Sequence, residues 1–411
     1  MCGDRRRTCL VNVAVTLVLR YADVGIATYA SLRVIGEPDR TVTWVVHEAD
    51  LVAALDQLST ALPDPLASET RRDAVERAVA SGPFAAPASE SAIARTLGAG
   101  LLSPEAWQLL IDSVTSPRPA LFVSPSSRLA RVPWGLLAMP GDDGFRLMEL
   151  ADVLMAAPSN IVNSGRTAAY WDDRRDGPPL LILDPRVPGQ RPDSALGSVL
   201  GRPSAETALA QHFTELMQRR AVLPDVAGAV ELFRRTDADR PWLGRQLDRR
   251  PSRLLYVGHA TAADGDVGHA DQAALHLADE RALTASDLMT AKLPMPPRIA
   301  MIACASGGDY QFDEATGLVA AMILGGAQLV TVTLWSLPTA AGYRQFAPAA
   351  ADHDPMAEAI IAVDRAHQEA DAGRAVNTWQ REQMRRWRDG DTSASPLYWA
   401  ALATFAVDGA R

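Results

Sequence analysis

The sequence predicts an α/β protein, a mostly parallel sheet flanked by helices with a small α+β cap at the N-terminus. Three observations carry that expectation. From about residue 178, short apolar runs alternate with helical stretches, the pattern of parallel strands joined by helical crossovers and covered on both faces. Near the N-terminus, Val11, Val13, Val15, Leu17, Leu19 and Tyr21 fall on one face and Asn12, Thr16 and Arg20 on the other, the period of a half-buried strand. The 411 residues are 48% hydrophobic and 22% charged, which suits a globular chain with a sizeable core.

In chain order, residues 1–62 read as the α+β region, with strands "CLVNVAVTLVL" and "TVTWVVHE" followed by the helix "ADLVAALDQLSTAL". Residues 63–98 carry Pro63, Pro65, Pro83 and Pro87 among many alanines and serines, and read as a linker around the short helix "SETRRDAVERAVA". Residues 99–177 hold a helix that opens at Ser103, Pro104 and Glu105, the strand "ALFVSP", and then "LARVPWGLLAMPG" and "DVLMAAPS". Residues 178–411 form the core region. Its strands are "PLLILDP" (179–185), "SRLLYVGH" (252–259), "PRIAMIAC" (297–304) and "AQLVTVTLW" (327–335). Helices are expected at "SAETALAQHFTELMQRR", "ADRPWLGRQLD", "TASDLMTA" and "ATGLVAAMILGG", with a single tail helix over roughly 355–388 and "SPLYWAALATF" after it. No internal repeat is visible.

Several classes of function are excluded at this level. The net charge is −9 and the arginine pairs are scattered among acidic residues, so no nucleic-acid surface is expected. No run approaches the roughly 20 apolar residues of a membrane span. The cysteines, Cys2, Cys9 and Cys304, give neither a disulfide framework nor a metal cage, so no metal and no cofactor is expected, and a reducing cytoplasm fits. The strand-like alternation also argues against reading the first residues as a signal peptide. An α/β-hydrolase elbow needs glycine two residues before and after the nucleophile, where Ile302 and Ser306 stand around Cys304. A dinucleotide fingerprint is missing from "LDPRVPGQRP".

Cys304 alone reads equally well as a buried small hydrophobe. Its position changes the weighting. In an open parallel sheet reactive groups gather beyond the carboxyl ends of the strands. His259 ends "LLYVGH", Cys304 ends "RIAMIAC", and one crossover of the length that returns to a neighbouring parallel strand separates them. A thiol needs a base to become a good nucleophile at neutral pH, and an imidazole on the same rim is the least addition that supplies one. His47, His212, His353 and His367 have no comparable partner in the sequence, and His269 and His276 read as surface residues of the crossover.

From about residue 99 to the C-terminus the chain resembles a CHAT domain, a caspase-like cysteine peptidase family related to separase. The similar blocks run in the family's order: "FVSPSSRLARVPWGLL", "DVLMAAPSNIV", "LLYVGHA", "LHLADERALTASDLM", "IACASG", "GLVAAMILGGAQLVTVTLWSLP" and "SPLYWAALATFAVDG". The resemblance implies a caspase-like sheet, with residues 99–177 as its non-catalytic half and 178–411 as its catalytic core. His259 would be the general base and Cys304 the nucleophile that forms a thioester. The backbone N–H groups of Cys304 and Ala260 would face the oxyanion, with Gly258 allowing a tight turn beside the cleft. Trp335 and Ser336 would lie where related peptidases pair an extended substrate strand, and Ser306 follows the nucleophile.

The chain departs from the family at Ala260, where glycine is usual, at "ACASG", and at Ile302, where arginine-cutting relatives carry an acid. No strongly basic cleavage preference is expected through Ile302. Asp264, Asp266, Asp309 and Asp313 read as rim-loop acids, either solvated or supplying charge by another route. Two readings follow. One is a cysteine endopeptidase acting on a protein or peptide substrate under control of a regulatory partner or effector. The other is a catalytically silent caspase-like scaffold that binds a partner protein through the same cleft.

Overall fold

The computed structural model describes residues 15–25, 27–141, 144–191, 194, 196–261, 270–303, 312–347 and 353–407, leaving aside the side chains of 303 and 312–316. Thirteen strands are named in chain order: β1 (Thr16–Asp23), β2 (Thr28–Val34), β3 (Glu37–Val46), β4 (Ala120–Ser124), β5 (Asp152–Ala156), β6 (Leu180–Leu183), β7 (Arg253–Gly258), β8 (Ala260–Thr261), β9 (Ala274–Leu275), β10 (Leu283–Thr284), β11 (Arg298–Ala303), β12 (Leu329–Thr333) and β13 (Leu402–Ala406). Ten of them form one sheet in the order β3-β2-β1-β4-β5-β13-β12-β11-β7-β6, and β10-β9-β8 form a small second sheet.

The α/β class is as the sequence predicts: the large sheet is mostly parallel and flanked by helices. Strands β6, β7, β12 and β13 are buried at every position, because helices cover both faces and no residue can point to water. In β1 the burial alternates instead, with Leu17, Leu19 and Tyr21 in the core and Arg20 exposed. The crossover helices start where the sequence supplies caps. The Thr207 hydroxyl accepts from the Ala210 N–H, the Asp239 carboxylate from the Trp242 N–H, and Thr284 and Asp287 form a reciprocal capping box.

Three features differ from the expectation. The N-terminal α+β segment is no detached cap: β1 pairs in parallel with β4, so the hairpins extend the central sheet. Residues 63–98 do not form a loose linker. They fold into helical turns and the first part of the helix Pro87–Leu101, and Val75, Phe84, Ile93 and Leu97 lie in the main core. Pro83 and Pro87 each sit in the first turn of a helical segment, where a missing N–H costs nothing, so they start structure instead of breaking it. The tail is two helices, Pro355–Ala366 and Ala372–Arg388. Between them the Arg298 guanidinium takes the carbonyls of His367, Glu369 and Ala370, which a continuous helix would need for its own ladder.

Candidate active site

At the carboxyl edge of the sheet β6, β7 and β11 end side by side. Leu183 lies opposite Val257, and Ala303 lies opposite Gly258. His259 is the first residue beyond β7. The residue that follows Ala303 in the chain, Cys304, lies outside the described residues.

The His259 side chain is buried, with 3% of the residue exposed. Its Nε2 lies 2.9 Å from the Gly197 carbonyl oxygen. A carbonyl oxygen can only accept, so Nε2 carries a proton and donates it to this bond. Burial pulls the His259 pKa below the ordinary histidine value, against the opposing pull of the Gly197 carbonyl and Asp184. A neutral ring protonated at Nε2 leaves a lone pair on Nδ1. Nδ1 is buried and has no hydrogen-bond partner among the described residues. A buried acceptor without a partner is costly, and the Nδ1 atoms of His212 and His367 are orphaned in the same way among the described residues.

The backbone of His259 is fixed as firmly as its ring. The His276 N–H donates to the His259 carbonyl at 3.0 Å. The Tyr256 hydroxyl lies 2.6 Å from that same carbonyl and 2.9 Å from the carbonyl of His276, donating its one proton between them. To reach there, Tyr256 folds beneath Gly258, where a Cβ would stand 2.7 Å from its hydroxyl oxygen and 2.9 Å from Cζ. Gly258 is thus required by a close approach, and its φ is not positive, so the tight turn expected at this position is not what selects glycine.

The loop that carries the Gly197 carbonyl is organised by Asp184, the residue just past β6. Asp184 is fully buried. Its carboxylate accepts from the Ser198 hydroxyl at 2.7 Å, the Val199 N–H at 3.2 Å and the Leu200 N–H at 3.3 Å. Arg234 Nη1 donates both to Asp184 Oδ1 at 3.2 Å and to the Gly197 carbonyl at 3.1 Å. Sequence reasoning missed Asp184, Gly197, Arg234 and Tyr256. The one visible signal was an acid directly past an apolar strand, in "LLILDP".

The remaining site residues fall into three groups. Ala260 lies in β8, paired with Leu275. Ser306, Asp264, Asp266 and Asp309 lie outside the described residues, as does the Asp313 side chain. Trp335 is fully buried, its indole N–H donates to the Leu397 carbonyl at 3.0 Å, and its ring centroid lies 6.1 Å from that of Phe84. Its side chain is core packing and offers no face to a substrate. Ser336 beside it is 6% exposed.

Of the two crossover histidines read as surface residues, His269 lies outside the described residues and His276 differs from that reading. His276 is half-buried, bonds Thr261 Oγ1 through Nε2 at 3.0 Å, and is held down to a pKa of about 4, by burial first and then by His259. His212 and His367 are buried with partners. His212 meets Asp364, itself paired with Arg253, and His367 meets Thr331. Among the described residues no cluster of three or more His, Cys, Asp or Glu is placed to hold a metal ion. Among them, too, no helix is long and apolar enough to cross a membrane.

A mostly parallel sheet flanked by helices, with a buried histidine at its carboxyl edge, makes this an α/β protein, a class in which ligands commonly bind beyond the strand ends. The family model of the CHAT domain matches residues 91–409. The chain belongs to the CHAT domain family, and the match begins inside the helix Pro87–Leu101. No curated protein matches the chain. Among solved structures it is similar to a chain in the crystal structure of the Saccharomyces cerevisiae separase–securin complex, at 11% identity and a TM-score of 0.45. That alignment covers 95% of this chain and 30% of the other, so this chain spans about a third of its length.

Proposed function

We propose that this protein is a cysteine endopeptidase of the caspase-like type, with His259 as general base and Cys304 as nucleophile. The observation that carries the reading is the His259 ring: Nε2–H is committed to the Gly197 carbonyl, and the Nδ1 lone pair is buried without a partner among the described residues. The strand register adds support, since the residue before Cys304 lies opposite the residue before His259.

In this reading Nδ1 takes the proton from the Cys304 thiol, and the thiolate attacks the carbonyl carbon of a peptide bond. The C–N bond breaks as the imidazolium returns its proton to the leaving amine, which leaves a thioester on Sγ. Water then gives a proton to Nδ1 as it adds to the thioester, the C–S bond breaks, and the thiol is restored with release of the acid. The family resemblance assigns the oxyanion to the backbone N–H groups of Cys304 and Ala260. A protein or peptide is the substrate, and a regulatory partner or effector controls access to the site.

An electrophilic peptide probe tests this in a Cys2→Ser, Cys9→Ser background. Labelling at Cys304 is expected, abolished by Cys304→Ala and slowed by His259→Ala. No labelling at Cys304, or labelling that His259→Ala leaves unchanged, removes the enzyme reading and leaves the silent, partner-binding scaffold.

A further inference from the structure

We propose that Asp184 is a positioning residue for the base: by holding the 197–200 loop, it sets the Gly197 carbonyl against Nε2 and so fixes His259 in the tautomer whose lone pair is on Nδ1. The geometric part stands on its own, whereas its catalytic consequence rests on the peptidase reading above.

The Asp184 carboxylate is directed at this loop and at the arginine that touches it. Three of its hydrogen bonds come from consecutive residues, Ser198, Val199 and Leu200, directly after Gly197. The fourth comes from Arg234 Nη1, which also donates to the Gly197 carbonyl and so ties the loop to the carboxylate from a second direction. The chain itself is bent to allow this. Asp184 has φ of 52° and Arg234 has φ of 55°, a left-handed conformation that non-glycine residues seldom adopt. Both stay pinned to the sheet, with the Asp184 N–H on the Val257 carbonyl and the Arg234 N–H on the Leu183 carbonyl.

The charges of Asp184 and Arg234 act on the His259 imidazole in opposite senses, with that of Asp184 the larger. The geometric effect is the direction of one carbonyl. Were the loop to turn that carbonyl away, Nε2–H would lose its acceptor and the proton would be free to move to Nδ1, where it blocks the base.

The test uses the full chain with 15N-labelled histidine and reads the His259 tautomer by NMR alongside probe labelling at Cys304. Wild type is expected to hold the Nε2–H form. Asp184→Asn should shift His259 toward a mixture and lower the maximal labelling rate by about ten- to a hundredfold, the range for removing a partner that orients a metal-ligating histidine. The probe's half-saturating concentration should change little. Ser198→Ala removes one donor and keeps the carboxylate, so a smaller shift of the same sign is expected, and this variant decides the matter should Asp184→Asn not fold. Asp364→Asn disturbs a buried ion pair elsewhere in the fold and should leave the tautomer unchanged. A folded Asp184→Asn protein, or Ser198→Ala in its place, with the wild-type tautomer overturns the positioning role whatever the labelling shows. A tautomer that shifts in a protein whose Cys304 never labels upholds the positioning role and removes the peptidase reading instead.

Discussion

His259 depends on a side chain three residues before it: Tyr256, 1% exposed, lies under Gly258 and bonds the carbonyls of His259 and His276. Gly258→Ala would place a methyl 2.7 Å from the Tyr256 hydroxyl and 2.9 Å from its Cζ, so the buried ring must shift. The expected cost is about 1–3 kcal/mol, the usual range for overpacking. Tyr256→Phe alone should cost about 1 kcal/mol for the lost hydrogen bond. Because Tyr256→Phe also removes the closer of the two clashes, the two substitutions should be coupled, with Gly258→Ala milder in the Tyr256→Phe background. Urea denaturation of the four proteins of the cycle measures this, and strict additivity would contradict it. Gly258 and His259 were legible in the sequence because both close an apolar run. Tyr256 was not, since inside that run its hydroxyl looks like one more core position.

Among the elements, the break between the two tail helices carries the clearest consequence. His367 ends the first of them, is 1% exposed, and bonds Thr331 Oγ1 at 2.8 Å. Burial, with the nearby Arg298 and Arg253, holds its pKa down to about 3, against an ordinary value of 6.5. Between those values the unfolded chain binds a proton that the folded chain refuses. Stability from this group is therefore complete above pH 6.5 and is lost as the pH falls toward 3. By pH 5 the loss is about 2 kcal/mol. Asp364 is a separate matter. Burial alone would raise its pKa, yet Arg253 and His212 hold it to about 2, so its contribution is lost only below the ordinary carboxylate range. Chemical denaturation at pH 7 and pH 5 should show the His367 loss in wild type and a flatter response in His367→Gln, and an identical loss in both would contradict the assignment. The amphipathic pattern of 355–388 predicts one helix because periodicity is local. The break comes from Arg298 on β11, distant in sequence, which no window along the tail could reveal.

For the whole molecule, the sheet is the device that brings separate pieces of sequence to one edge. Its core strands were legible because each is a short apolar run between turn-forming residues, and the N-terminal strand because of its alternation. The unity of the fold was not. Residues 63–98 look like a linker by composition, yet Glu90 within them meets Arg146 at 2.9 Å, and both are buried. Leaving either partner alone would strand a buried charge, which ties that segment to the sheet. The contacts of Asp184 with Ser198, Val199 and Leu200 were equally hidden, because they join irregular segments with no period to detect.

The proposed pairing of the His259 base with the Cys304 thiol is most directly measured by the pH dependence of Cys304 alkylation with iodoacetamide, with Cys2 and Cys9 replaced by serine. The account predicts a Cys304 thiol that ionises well below the ordinary value of about 8.5 and returns toward it in His259→Ala. A Cys304 that alkylates with an ordinary thiol pKa, unchanged by His259→Ala, would contradict it.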